Sequence, residues 1–386
     1  MRGLKNLSRF AGLVVILTFF TVNNVYPEPT EKELLAKGVI YLKIQKYDEA
    51  IAEFTKAIQI NPNCAEAYSS RGIVHNMKGD FDQAIADYTK AIQIDPKLAN
   101  AYYSRGLAYE QKGSFDQAIS DYTKALELNP NDGDTYYNRG LAYDKKGNSD
   151  QAISDYNKAI EINPKDDRAY SMLGYLYGIK DNYDLAISNC TKALELNPND
   201  DDTYYNRGFV YDKQGKVDQA MSDYNKAIEI NPKDDRAYDN RGSIYLARGN
   251  YSQAVSDFTN AIKINPTSAK PYYNRGNAYK NKGSFDQAIS DYNKAIELNS
   301  DYGIAYNNRG SAHLAKGDFD QAISDYNKAI VIAPNNAESY YNRALAFFAK
   351  QSYDKTWDDI HKAETLGTEI NPTFLDNLKK ISKREN

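Results

Sequence analysis

Residues 154–170 read SDYNKAIEINPKDDRAY, and the same letters return at 222–238, 68 residues further on. A shorter string, QAISDYNKAI, resolves the period. It begins at Gln151, Gln287 and Gln321, the last two 34 apart and the first four times 34 before Gln287. The 68-residue copy is therefore two units of 34. Recurrence at a period of this size marks a stack of small supersecondary units, none of which buries its apolar face alone. The core of such a stack grows along one axis, so a length of 386 residues does not translate into a number of globular domains.

Counted in 34s from Glu31, ten units fit without insertion and end near Ile370. Position 8 is Gly in the first nine units, from Gly38 and Gly72 to Gly310, and position 27 is Ala in all ten, from Ala57 to Ala363. Apolar and aromatic residues at positions 4, 8 and 11 recur at three- and four-residue spacing and predict one face of a first helix. Positions 20, 24 and 27 do the same for a second helix. Gly at position 15, as in Gly113, Gly147, Gly215 and Gly283, breaks the chain between them. An Asn-Pro pair ends the second helix, because the residue before Pro is pushed out of the α region. The Asp and Asn residues that follow, such as Asn131-Asp132 and Asp166-Asp167, are placed to cap the next first helix.

This pattern resembles the tetratricopeptide repeat, and the match runs in phase from Glu31 to Ile370. The resemblance implies an all-α, right-handed superhelical solenoid of about ten helix-turn-helix units. Departures lie mostly near the ends: Leu34 for Tyr in the first unit, Ser300 for Pro in the eighth, and Ala344 for Gly and Thr356 for Ala in the tenth. Asn371 to Arg384, with Phe374, Leu375, Leu378 and Ile381, reads as one more amphipathic helix that caps the stack. The domain plan is residues 1–27 as signal peptide or N-terminal anchor, 28–370 as ten repeats, and 371–386 as capping helix and tail.

The N-terminal segment pairs a basic start (Arg2, Lys5, Arg9) with an uncharged run from Phe10 to Val22. That run is short for a membrane span, which needs about 20 residues, and fits a secretory signal of bacterial type. The expectation is an exported, periplasmic or secreted protein; the alternative is anchorage by residues 10–22, since no small-x-small cleavage site stands between Thr21 and Pro29. A net charge of -4, with signs interspersed, gives no pull toward nucleic acid. The two cysteines, Cys64 and Cys190, fall about four repeats apart, too far for a disulfide, and Cys190 takes an aromatic position as a small buried residue.

Nothing in the sequence points to catalysis, a metal or a cofactor. His75 and His313 sit at position 11, where most units have Tyr, and read as packing residues; His361 stands alone. No HExxH, CxxC, GxSxG or phosphate loop occurs. Binding has two candidate rows, because the resemblance implies that positions 2, 5, 6, 9, 12 and 13 face a concave groove. Position 6 supplies Asn138, Asn206, Asn240, Asn274, Asn308 and Asn342, with Met172 interrupting. Stacked one per repeat, these amides would hydrogen-bond an extended peptide backbone, as in the repeat domain of O-linked N-acetylglucosamine transferases; the alternative is local support of the next helix. Position 5 supplies an aromatic stripe, Tyr103, Tyr137, Tyr205, Tyr273 and Tyr341, which would otherwise pack between helices. The tyrosines at position 4, Tyr68 through Tyr340, are expected in the core. The family's two-carboxylate clamp needs Lys at position 5, and no unit has it. The functional expectation is a non-enzymatic scaffold for a protein or peptide partner. The alternative is an accessory subunit of an envelope, secretion or glycan-handling assembly, with tyrosine faces stacking on sugar rings.

One pair of positions changes together along the chain. Position 7 is Arg71, Arg105, Arg139, Arg207, Arg241, Arg275, Arg309 and Arg343, and position 23 in the same units is Asp87, Asp121, Asp155, Asp223, Asp257, Asp291, Asp325 and Asp359. The fifth unit replaces both, with Leu173 and Asn189, and the first swaps both, with Lys37 and Glu53. Antiparallel helices would set the two positions level, predicting an ion pair inside each repeat.

Overall fold

The computed structural model describes residues 29–383. The segment read as an export signal lies outside them. Among the described residues every regular element is an α-helix, twenty of them forming ten two-helix repeats and the twenty-first, Pro372–Ser382, following the tenth. The chain is an all-α solenoid of helix-turn-helix units that divides into two compact units after Pro130, the first with three repeats and the second with seven and the last helix. Within each unit consecutive first helices touch, as Asp167–Ile179 touches Asp201–Lys213, while consecutive second helices stay further apart. The first helices therefore line the inside of each unit's curve.

The turn between helices is set by one residue per repeat. All ten residues at position 15 have positive φ, from 57° at Asp181 to 85° at Gly317. Seven are Gly, which tolerates that conformation; Gln45, Asp181 and Gln351 adopt it at a steric cost. At the start of first helices Asp132, Asp166 and Asp234 accept from backbone N–H groups, as their sequence context predicts. Asn371 caps the last helix, whose Leu378 is fully buried beside Trp357 and Ile360 of the tenth repeat.

The core differs from the sequence expectation in which tyrosines it takes. The fully buried rings are those of position 24: Phe54, Tyr88, Tyr122, Tyr156, Tyr224, Phe258, Tyr292 and Tyr326. Each lies against the bare Cα of position 8, which is why that position is Gly: a Cβ on Gly106 would stand 2.7 Å from Tyr122 Cε1. Burying such a ring contributes about 1.5–3 kcal/mol. In the fifth repeat Cys190 takes the ring's place, and both cysteines are buried and free. First helices bury positions 3, 8 and 10, for example Ala237, Gly242 and Ile244. The position 4 tyrosines are only half-buried. The guanidinium of position 7 holds them at the boundary, standing 5.3–5.8 Å from the ring centroid.

The paired positions are in contact. In all eight repeats that carry them, Arg Nε and Nη2 donate to the two carboxylate oxygens of position 23 at 2.5–2.8 Å. Lys37 reaches Glu53 at 3.1 Å in the first repeat. Within each unit the remaining guanidinium nitrogen binds position 25 of the preceding repeat, as Arg207 Nη1 donates to Thr191 Oγ1 at 3.1 Å and Arg241 Nη1 to Asn225 Oδ1 at 2.7 Å. One side chain thus ties two helices of its own repeat to the repeat before it. In the fifth repeat Leu173 joins an apolar cluster with Leu176, and Asn189 Nδ2 donates instead to Leu185 O at 2.8 Å.

Candidate functional site

The two candidate rows lie half-buried on the first helices and engage one another across repeats. In residues 131–383 the amide of position 6 donates to position 5 of the preceding repeat. Asn240 Nδ2 donates to Tyr205 OH at 3.3 Å, Asn274 to Asp239 Oδ1 at 3.0 Å, Asn308 to Tyr273 OH at 3.0 Å and Asn342 to Asn307 Oδ1 at 3.3 Å. These bonds run to the neighbouring first helix, so the donors hold the stack together. Asn206 stands apart: position 5 before it is Ser171, which is too short to reach and is bonded to Thr203 Oγ1 at 2.5 Å. Asn206 has no hydrogen-bond partner among the described residues. Asn138 holds the same position in the fourth repeat and is half-buried.

The tyrosines of position 5 are wedges. Tyr103, Tyr137, Tyr205 and Tyr273 each tilt against the buried ring of their own repeat at 5.7–6.0 Å, and Tyr341 meets Phe374 edge-on at 6.3 Å. Arg168 covers Tyr137 at 4.5 Å and Arg236 covers Tyr205 at 4.4 Å. Both guanidinium groups are held by carboxylates, Arg168 by Asp134 and Asp166 and Arg236 by Asp202 and Asp234. A sugar ring stacking on Tyr137 or Tyr205 would have to displace a paired arginine. Burial pushes the Tyr205 and Tyr273 hydroxyls up from their ordinary range.

The side chains left facing outward are at positions 9, 12 and 13. Tyr175 and Ile179, one helical turn apart, are 39% and 49% exposed. Beside them on the next first helix lie Asn206 and Phe209, also one turn apart. The two helices approach closely because position 12 of the fifth repeat is Gly178, where a Cβ would stand 2.9 Å from Val210 Cγ2. Asp144 and Asp212 occupy position 12 on either side; burial raises both carboxyls, and the adjacent Lys145 and Lys213 offset it in part. In the eighth repeat position 12 is Lys280, whose ammonium burial pushes down. Lys280 is not distinctive in the sequence, where one Lys among many reads as a solvated charge. Its signal is positional, a cation in a row where the flanking repeats have Leu246 and Leu314. Among the described residues no group of three His, Cys, Asp or Glu is placed to hold a metal ion.

A stack of helix-turn-helix repeats is the class this geometry defines. The chain belongs to the tetratricopeptide repeat family: models described as "TPR repeat" match residues 38–79, 74–113, 242–283 and 310–351, and "Tetratricopeptide repeat" models match residues 99–132, 133–166, 167–200, 202–234, 269–302 and 223–256. Comparison with curated proteins finds no match. Among solved structures the chain is similar to YrrB, described as a TPR protein with an unusual peptide-binding site, at 29% identity over 48% of this chain and 95% of that one, with a TM-score of 0.43. It is similar to MamA at 29% identity over 44% and 92%, TM-score 0.41, and to PilF of Pseudomonas aeruginosa at 20% identity over 52% and 92%, TM-score 0.49.

Proposed function

We propose that the chain is a non-enzymatic scaffold that binds an extended peptide segment of a partner protein along the first-helix face of residues 131–383. The observation that carries this reading is the patch on the fifth and sixth repeats. There bulky apolar side chains, Tyr175 and Ile179, stand exposed beside Phe209 and the one amide of the Asn row left without a partner, Asn206. Aromatic and aliphatic side chains on an inward-curving surface supply contact area, and a free amide offers both a donor and an acceptor to a peptide backbone. The remaining members of the two rows in residues 131–383, Asn138, Asn240, Asn274, Asn308 and Asn342 with Tyr137, Tyr205, Tyr273 and Tyr341, shape the floor of the groove, and Tyr103 lies in the other unit.

The test is an array of short peptides probed with the wild type and with a Tyr175→Ser, Ile179→Ser, Asn206→Ala triple variant. Binding should fall while far-UV circular dichroism stays unchanged; equal binding by the variant would remove the patch from the function. Export is part of the proposal, supported by the basic start and the apolar run at residues 10–22. No helix among the described residues is long and apolar enough to cross a membrane. Sequencing the N-terminus of protein recovered from the periplasm or medium decides between cleavage and a retained anchor.

A further inference from the structure

We propose that the outer face of the helix Glu31–Lys43 is a dimerisation surface, on which a second copy of this chain packs the same helix antiparallel. What the equivalent positions do in later repeats defines the face. Within each unit, position 10 of a following repeat is buried on the second helix of the repeat before it. Ala108 lies there against Ala84 and Tyr88, and Ala278 against Ala254 and Phe258. Position 14 is mostly a cation that pairs with position 18 of the repeat before, as Lys78 does with Asp48 and Lys316 with Asp286, each at 2.6 Å. In the first repeat the same two positions are Ile40 and Ile44, one helical turn apart and 59% and 57% exposed. Among the described residues no helix precedes Glu31–Lys43 to cover them. Val39, Ile73 and Met77, exposed on the adjoining face of Glu31–Lys43 and Ala65–Lys78, extend the apolar area. Apolar area of this kind left in water favours association.

The substitutions on this face also choose its occupant. The second helix of another repeat array does not fit. It would bring the acid of position 18 to Ile44, where a cation is needed, and it would bury position 3, which is Ala67 and Ala101 in the next two repeats and Glu33 here. Head-to-tail pairing of copies fails as well, because Pro372–Ser382 closes the end of the stack in the other unit. A second Glu31–Lys43 helix does fit. Glu33, Ala36, Ile40 and Lys43 recur at three- and four-residue spacing along one exposed stripe. The acids Glu31 and Glu33 stand in its first turn and Lys43 in its last. Antiparallel pairing about a twofold axis level with Gly38 sets Ile40 of each copy beside Ala36 of the other, and Glu33 level with Lys43. Large then meets small near the centre and opposite charges meet at both ends, whereas parallel pairing sets like charges together. Glu33 caps its own helix through Oε2, which accepts from Thr30 N at 2.8 Å, and Oε1 is left for the second copy. Lys43 forms no ion pair among the described residues. The helix is about 20 Å long, short against the roughly 800 Å2 per partner of a standard interface, so the dimer is a reversible one. Each dimer brings together two copies of the surface proposed on residues 131–383.

The experiment is sedimentation velocity of the full chain from low to high micromolar concentration. The result expected is a concentration-dependent equilibrium between monomer and dimer. Ile40→Asp combined with Ile44→Asp should leave monomer at every concentration, with far-UV circular dichroism unchanged. Lys43→Glu and Glu33→Lys should each weaken the dimer at least about tenfold, because like charges then face each other at both ends. A mixture of these two variants should dimerise as the wild type does, since in the mixed dimer opposite charges meet at both ends. A merely frayed helix would not recover on mixing. A chain that stays monomeric throughout, a dimer indifferent to Ile40 and Ile44, or a mixture no better than its components overturns the dimer surface. A monomer that dimerises only once residues 1–28 are removed also overturns it, and assigns the face to the chain's own N-terminal segment. None of these outcomes bears on the peptide array, which reads Tyr175, Ile179 and Asn206 in the other unit.

Discussion

Replacing Arg207 by Leu tests whether the ion pair inside each repeat is structural. Arg207 Nε and Nη2 meet Asp223 at 2.7 and 2.8 Å, and Nη1 meets Thr191 Oγ1 at 3.1 Å. Asp223 is only 4% exposed, so removing the guanidinium leaves a buried carboxylate without its partner. Breaking one side of a buried pair costs about 3–5 kcal/mol, whereas an exposed pair is worth under about 1. The burial of Asp223 places this pair in the first class. The fifth repeat supplies the control, because it folds with Leu173 and Asn189 at the same positions. Adding Asp223→Asn should therefore recover at least half of the loss, since an amide can be satisfied by its own helix as Asn189 is. The assay is urea unfolding combined with hydrogen exchange. In a stack of coupled units the loss should centre on helices Asp201–Lys213 and Val217–Ile230 and fade along the neighbours. A loss below about 1 kcal/mol, or a double variant no more stable than the single one, would refute the reasoning.

Three further outcomes follow from the same structure. Burial holds the Lys280 ammonium below its ordinary value of about 10.4, so the unfolded chain binds the proton more tightly and stability rises with pH across that window. Lys280→Met should accordingly be more stable than wild type at neutral pH in urea titrations, with the gap closing above about pH 10.4; no gap at any pH would contradict the burial. Asp181→Gly relieves a φ of 57° in a non-glycine residue and should stabilise by about 1 kcal/mol, read as a higher urea midpoint. Leu378→Ala opens a cavity under the last helix at a cost of about 2–5 kcal/mol, and the chain's single tryptophan, Trp357, should report that transition before the bulk helix signal melts.

The sequence by itself determined the period, the helix pairs, the turn residues and the Arg–Asp pairing. Those features rest on interactions within one unit, and ten copies in one chain let each residue be read against its own equivalents. It also showed that the stretch at 154–170 recurs after 68 residues, without a reason for doubling the period. The tertiary structure supplies one at position 5, which alternates Tyr137, Ser171, Tyr205, Asp239, Tyr273, Asn307 and Tyr341. Ser171, Asp239 and Asn307 are buried and the tyrosines between them half-buried. Arg168 and Arg236, at the same place in the two copied stretches, close over Tyr137 and Tyr205 of the repeats before them. Which amides are engaged was likewise decided only in three dimensions. Asn206 and Asn240 occupy the same repeat position and each is followed by Arg-Gly, yet position 5 of the preceding repeat is Ser171 for one and Tyr205 for the other. The position 4 tyrosines were misassigned to the core for the same reason. A helical period shows which residues share a face, but the depth to which each is buried depends on the neighbouring helix that the stack brings against it, and that contact lies 34 residues away along the chain.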